Sequence, residues 1–159
     1  TFIARNYLTN KLTTMASVNV YLNFNGNCEE AFNFYKTVFG TGFQYIGRFK
    51  DMPPSDNSDM KGIDGEKIMH VSLPVGNGTV IMGSDTGGEW AKYFTQGTNF
   101  SLSINAGSKE EAERLFNGLS GGGKITMPLN KTFWSDCFGM FTDKFGINWM
   151  VSYDGSQQK

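Results

Sequence analysis

Charge is what this 159-residue chain has least of: Asp, Glu, Lys and Arg together make up 18% of it, against about 25% in an ordinary soluble domain. The charges nearly cancel, at a formal −1, and Lys and Arg are scattered. A surface that tracks phosphates needs clustered cations, so nucleic-acid binding is excluded as a reading. Long apolar runs are missing as well. Nothing approaches the ~18 residues of a membrane span, and residues 1–14 lack the continuous apolar stretch and small-residue cleavage site of a secretory leader. Histidine is reduced to His70, and cysteine to Cys28 and Cys137. The two cysteines sit on different elements without metal-ligand spacing and read as free thiols of a reducing cytoplasm. Aromatic residues, at 14%, are what the chain has in quantity. Many rings with little charge leave apolar surface to cover, which points to a homodimer or a lined cleft.

The chain repeats itself. Val20, Leu22 and Phe24 alternate with Asn19, Tyr21 and Asn23, the period of a half-buried strand. "GNCEEAFNFYKTVFG" follows: Asn27 is placed to cap, Glu29 and Glu30 suit a first turn, and Ala31, Phe34, Tyr35 and Val38 make an apolar stripe before Gly40. In the second half Phe100, Leu102 and Ile104 alternate with Asn99, Ser101, Ser103 and Asn105. There "GSKEEAERLFNGLSGGG" carries Ser108 as cap and Leu115 and Phe116 on the stripe. Strand signals come next in each half: "GFQYIGRF", "KIMHVSLPV" and "TVIMGS", then "GKITMPLNKTF", "CFGMFTD" and "INWMVSY". Asn77-Gly78 between apolar runs marks a hairpin. Each half is therefore β-α-β-β-β, an α+β fold in which two modules share one pseudo-symmetric body with a cleft between their sheets.

The boundaries follow: residues 1–14 as an N-terminal tail before Met15-Ala16-Ser17, which reads as a translation start; 15–86 as the first module; 87–98 as a linker; 99–155 as the second; 156–159 as a tail. Residues 50–66, with Pro53-Pro54, are too long for a plain connection and read as a flap. The linker carries Trp90, Tyr93 and Phe94, which are expected to dock on their own domain.

Paired units of this kind, with "EEAFNFYKTVFG" after the first strand, resemble the vicinal oxygen chelate superfamily of glyoxalases, bleomycin- and fosfomycin-resistance proteins and extradiol dioxygenases. "IMHVSLPVGNGTVIMGSD" and "TFWSDCFGMFTDKFGINWMVSY" resemble its PhnB-like branch, whose members have been labelled 3-demethylubiquinone 3-methyltransferases. The resemblance covers residues 18–153. It implies curved mixed sheets around a cleft, modules that pair or swap between chains in a homodimer, and, in the superfamily's enzymes, a divalent metal held by His, Gln or Glu from first and last strands. A last-strand Gly is usually followed four residues on by a ligating Glu. Here Gly146 leads to Met150 and Gly78 to Met82, and a thioether is a poor ligand for Mn, Fe, Ni or Zn. The first strands supply Tyr21, Asn23, Ser101 and Ser103. No cofactor is expected on these residues.

Candidate site residues are therefore His70, the one imidazole and the best general acid/base in the chain, with Tyr21, Asn23, Ser101, Met82, Met150, Trp134 and Phe138 lining the cleft. Arg48 is placed to clamp an anion. Trp149 and Phe141 read as core. Asp136, Asp143 and Asp154 read as solvated loop ends or turn caps. Three functions compete for these residues: metal-free binding of a small apolar or aromatic molecule; a metal-dependent lyase, isomerase or dioxygenase with unconventional ligands such as His70 and Tyr21; and methyl transfer, for which the chain lacks a glycine-rich strand-to-helix turn for S-adenosylmethionine.

Overall fold

A computed structural model describes residues 17–54 and 61–158; the expected N-terminal tail, the start at Met15, the centre of the flap and Lys159 lie outside them. The first module consists of β1 (Val20–Phe24), α1 (Cys28–Phe39), β2 (Tyr45–Arg48), β3 (Ile68–Gly76) and β4 (Thr79–Asp85). The second consists of β5 (Leu102–Asn105), α2 (Lys109–Ser120), β6 (Lys124–Asn130), β7 (Cys137–Thr142) and β8 (Asn148–Tyr153). Each builds a four-stranded mixed sheet, ordered β1-β4-β3-β2 and β5-β8-β7-β6, with only the β1–β4 and β5–β8 pairs parallel. Both helices have 12 residues and start at positions 28 and 109, a shift of 81.

Local chemistry explains most element ends. Asn77 and Gly78 both take positive φ, 49° and 74°, the geometry of the two-residue turn that matches strand twist. Gly40 closes α1 with φ 68° and donates its N–H to Lys36 O. Ser108 caps α2 by accepting from Glu111 N at 3.1 Å. Asn27 does not cap α1 with its side chain. That position is taken by Asp85 at the end of β4, whose carboxylate accepts Cys28 N and Ile68 N, each at 2.9 Å. The stripe of α1 is also rotated from the expected one: Cys28, Ala31, Phe32 and Tyr35 are buried, while Phe34 and Val38 are half-buried at the edge of the core. β2 is shorter than its apolar run, because Phe49–Asp51 winds into a 3-10 turn.

One core serves both modules. Leu22, Phe24, Val71, Leu73 and Ile81 of the first sheet join Phe141, Trp149 and Val151 of the second through Phe32, Tyr35, Phe116 and Leu119 of the helices. Trp149 and Phe141 are core residues, 2% and 1% exposed. Asp143 does cap its turn, but it is no solvated loop end. It is buried in the β7–β8 turn and accepts Tyr35 Oη (2.7 Å), Trp149 Nε1 (2.9 Å), Phe145 N (2.8 Å) and Ile147 N (3.0 Å). Burial, reinforced by the Asp143 charge, pushes the Tyr35 phenol well above the usual tyrosine range. Asp136 and Asp154 do cap turns, accepting Gly155 N and Ser156 N.

Packing between the modules runs through α1 and α2. The faces that the helices do not cover carry Tyr21, His70, Ser72 and Met82 on the first sheet, and Ser103, Phe138, Met140 and Met150 on the second. Met82 and Met150 thus stand on different sheets, each on the face turned away from the shared core.

Candidate binding groove

The hollow that does open between the modules lies at the β1 edge, roofed by the linker. Thr86 N donates to Phe24 O at the end of β1. Ten residues on, Gln96 Nε2 donates to Phe145 O, and Asn148 Nδ2 donates to Gly97 O and Phe100 O. Gly146 is required beneath Gln96, since a Cβ there would lie 2.8 Å from its amide and φ is 86°. Pinned at both ends, the linker turns through a 3-10 segment at Gly88–Tyr93 and leaves a groove of about 520 Å³. Its aromatic walls are Tyr21, Phe49, Trp90, Tyr93, Phe94 and Phe100, with Asn23, Ser84, Asp85 and Gln96 as polar lining. Trp90 and Tyr93 do not dock on their own domain: they are 59% and 80% exposed. The glycines and short polar residues around them give the linker no apolar face of its own to bury.

Beside the groove stands a second aromatic group. His70 lies between Tyr21 and Tyr45, with ring centroids 5.7 and 5.8 Å away, and Tyr21 Oη is 3.3 Å from His70 Nδ1. Gly47, opposite His70 in the β2–β3 register, makes room: a Cβ there would sit 2.5 Å from Tyr45 Oη. Tyr21 thus touches both places. It lines the groove and reaches His70 with its hydroxyl.

The structure separates the other expected site residues. Tyr21 and Asn23 line the groove, while Ser101, Met82, Met150, Trp134, Phe138 and His70 lie outside its lining. Met82 pairs in register with Tyr21 and Ser72. Met150 faces Met140 and Ser103 on the second sheet. Trp134 packs edge-on against Phe138 at 5.5 Å and against Phe133 at 4.5 Å, a patch of its own. Arg48 already clamps an anion, the protein's own Glu29: Nη2–Oε1 is 2.6 Å, Nη1–Oε2 is 3.0 Å, and Nη1 also donates to Glu66 O. That fork holds the Glu29 carboxyl below the usual range. Residues missed in the sequence are Tyr45, Phe49, Phe100 and Asp85. Tyr45 shares a strand face with Gly47 and was within reach of the period-two pattern. Phe49 and Asp85 are brought to the site only by tertiary folding.

The divalent metal that the fold implies is not matched by these residues. Among the described residues no group of three or more His, Cys, Asp or Glu side chains gathers as a metal site. His70, with the Tyr21 and Tyr45 phenols beside it, offers one strong donor where the metals in question need at least three.

A sequence profile of the 3-demethylubiquinone-9 3-methyltransferase family matches residues 16–152. The chain belongs to this family. Protein YjdN of Escherichia coli K12 is 30% identical over 138 residues, 83% of this chain and 91% of YjdN. The crystal structure of PA1353 from Pseudomonas aeruginosa is 41% identical and superposes with a TM-score of 0.73 over 88% of this chain and 98% of PA1353. A PhnB protein from Bacillus cereus, described as a 3-demethylubiquinone-9 3-methyltransferase, is 27% identical with a TM-score of 0.68, covering 87% and 99% of the two chains. This family member is PhnB-like, and its two-module α+β fold is the glyoxalase/bleomycin resistance/dioxygenase fold: a domain of that type superposes at 15% identity with a TM-score of 0.61. No helix among the described residues is long and apolar enough to cross a membrane.

Proposed function

We propose that this PhnB-like protein binds a small apolar or aromatic molecule in the inter-module groove, without a catalytic metal. The supporting observation is the groove itself: about 520 Å³, the size of a small-molecule site, with Tyr21, Trp90, Tyr93 and Phe100 each at least 43% exposed to solvent. Rings left in water around a concavity gain about 25 cal/mol for each Å² a ligand covers. His70 takes part through Tyr21 as a positioning residue. Methyl transfer, which the family description names, has less support. β1 enters α1 through Asn25-Gly26-Asn27, and the helix N-terminus there, where a cofactor's anionic group would sit, holds Asp85.

Titration with indole or 2-naphthol, followed by calorimetry and by tryptophan fluorescence, tests the reading. One site per chain is expected, weakened at least about tenfold in the double variant Trp90→Ala/Tyr93→Ala. Absence of binding, or equal affinity in that variant, overturns it. The same protein is proposed to be a homodimer, because Phe133 (97% exposed), Trp134 (50%) and Ile125 (50%) leave apolar surface for a second copy, and cytoplasmic, because Cys28 and Cys137 are free thiols. Light scattering behind a sizing column at micromolar concentration is expected to give twice the chain mass. A monomer alone refutes the dimer.

A further inference from the structure

We infer that the groove selects a small organic cation, a quaternary or tertiary ammonium compound, over a neutral or anionic molecule of the same shape; this rests on the binding reading above and names its ligand class. Six of the residues that line the groove are aromatic, one is a carboxylate, Asp85, and none is Lys, Arg or His. The faces of aromatic rings carry negative quadrupole potential and attract a cation placed within about 6 Å of the ring centre, most strongly for Trp, and this is how aromatic cages take quaternary ammonium groups.

Three further observations point the same way. Among the described residues, the chain's own cation–ring contacts fall on Phe43 (Lys36) and on Phe34 and Phe145 (Lys144), away from the groove. Tyr21 stacks on His70, but the other five groove rings, Phe49, Trp90, Tyr93, Phe94 and Phe100, make no ring-to-ring contact, so their faces are not spent on stacking. Every basic residue next in sequence to a lining residue is paired with a carboxylate: Arg48 with Glu29, Lys50 with Glu66 and Lys92 with Glu89. The Asp85 carboxylate is buried and taken up by the two backbone N–H groups it accepts, Cys28 N and Ile68 N. The rings therefore carry the selectivity, and Trp90, exposed and largest, is its centre.

The test uses choline and 3,3-dimethyl-1-butanol, which share a shape and differ by one charge, with indole as the reference ligand. Calorimetry on the full chain is expected to show choline binding at least about fivefold more tightly than the alcohol. Trp90→Leu, which keeps bulk and removes the indole face, is expected to abolish that preference while the alcohol still binds, and Trp90→Phe to restore part of it. If the alcohol binds as tightly as choline while indole binds normally, the cation preference is overturned and the groove reading stands. If none of the three binds, both are overturned.

Discussion

Tyr35 shows how much a single buried side chain can set. Its phenol crosses from α1 to the Asp143 carboxylate, 2.7 Å away and fully inside the core. Burial makes the charged form expensive, so the folded protein holds the proton well past the ordinary value of 10.0. Burial likewise pushes the Cys28 thiol above its ordinary 9.0. In both cases the unfolded chain loses its proton first as pH rises, and stability falls wherever the native state binds more protons than the unfolded one. Thermal stability is therefore expected to decline from about pH 9, where unfolded Cys28 ionises, and more steeply past pH 10, where unfolded Tyr35 follows. Tyr35→Phe is expected to cost about 1.5–3 kcal/mol at neutral pH through the lost bond to a carboxylate. It should also flatten the limb above pH 10 in melts followed by circular dichroism. An unchanged slope in that variant would show that the phenol ionises normally in the fold.

At the scale of elements, the two modules use one packing device twice. Phe32 of α1 sits over Gly83 of β4, and Phe116 of α2 over Gly139 of β7; a Cβ at either glycine would lie 2.6 Å from the ring above it. Backbone also closes in, with Leu22 O at 2.8 Å from the first position and Leu129 Cα at 2.9 Å from the second. Neither site can relax by turning a rotamer. Gly83→Ala and Gly139→Ala are each expected to destabilise by about 1–3 kcal/mol, the cost of overpacking a full core, as read from urea midpoints; a neutral alanine would mean that the helices ride higher on their sheets.

Elements of this kind were legible from periodicity: the duplication, both helices, the Asn77-Gly78 hairpin and the core placement of Phe141 and Trp149. Local patterns stop short of the groove for a physical reason. Its walls come from β1, the turn after β2, the linker and the β7–β8 turn, residues up to 126 positions apart as counted from Tyr21 to Ile147. Asp85 and Asp143 give no local sign of their burial for the same reason. Each reads as an isolated strand-end acid, and only the fold supplies the N–H groups that justify burying it. Arg48 was legible as an anion clamp, but its anion, Glu29, stands 19 residues earlier on another element.

For the molecule as a whole, the question is whether a duplicated chain behaves as one body or two. The shared core says one, and Asp143 is the point where that unity can be tested. Its carboxylate holds the Tyr35 hydroxyl from the first module and the Trp149 indole N–H, Phe145 N and Ile147 N from the second. Removing it leaves four buried donors without an acceptor, each worth about 1–3 kcal/mol before relaxation or water entry reduces the loss. Asp143→Ala is therefore expected to cost about 4 kcal/mol, lowering Tm by about 10 °C for a domain of this size. The melt should nevertheless remain a single transition, with calorimetric and van't Hoff enthalpies in agreement, because Phe34, Tyr35 and Phe39 of α1 still pack against Phe145 and Trp149 across the module boundary. Two resolved transitions would mean that the carboxylate alone joins the modules. The groove between them, whose lining includes Ile147 beside that carboxylate, would then come apart at the first transition.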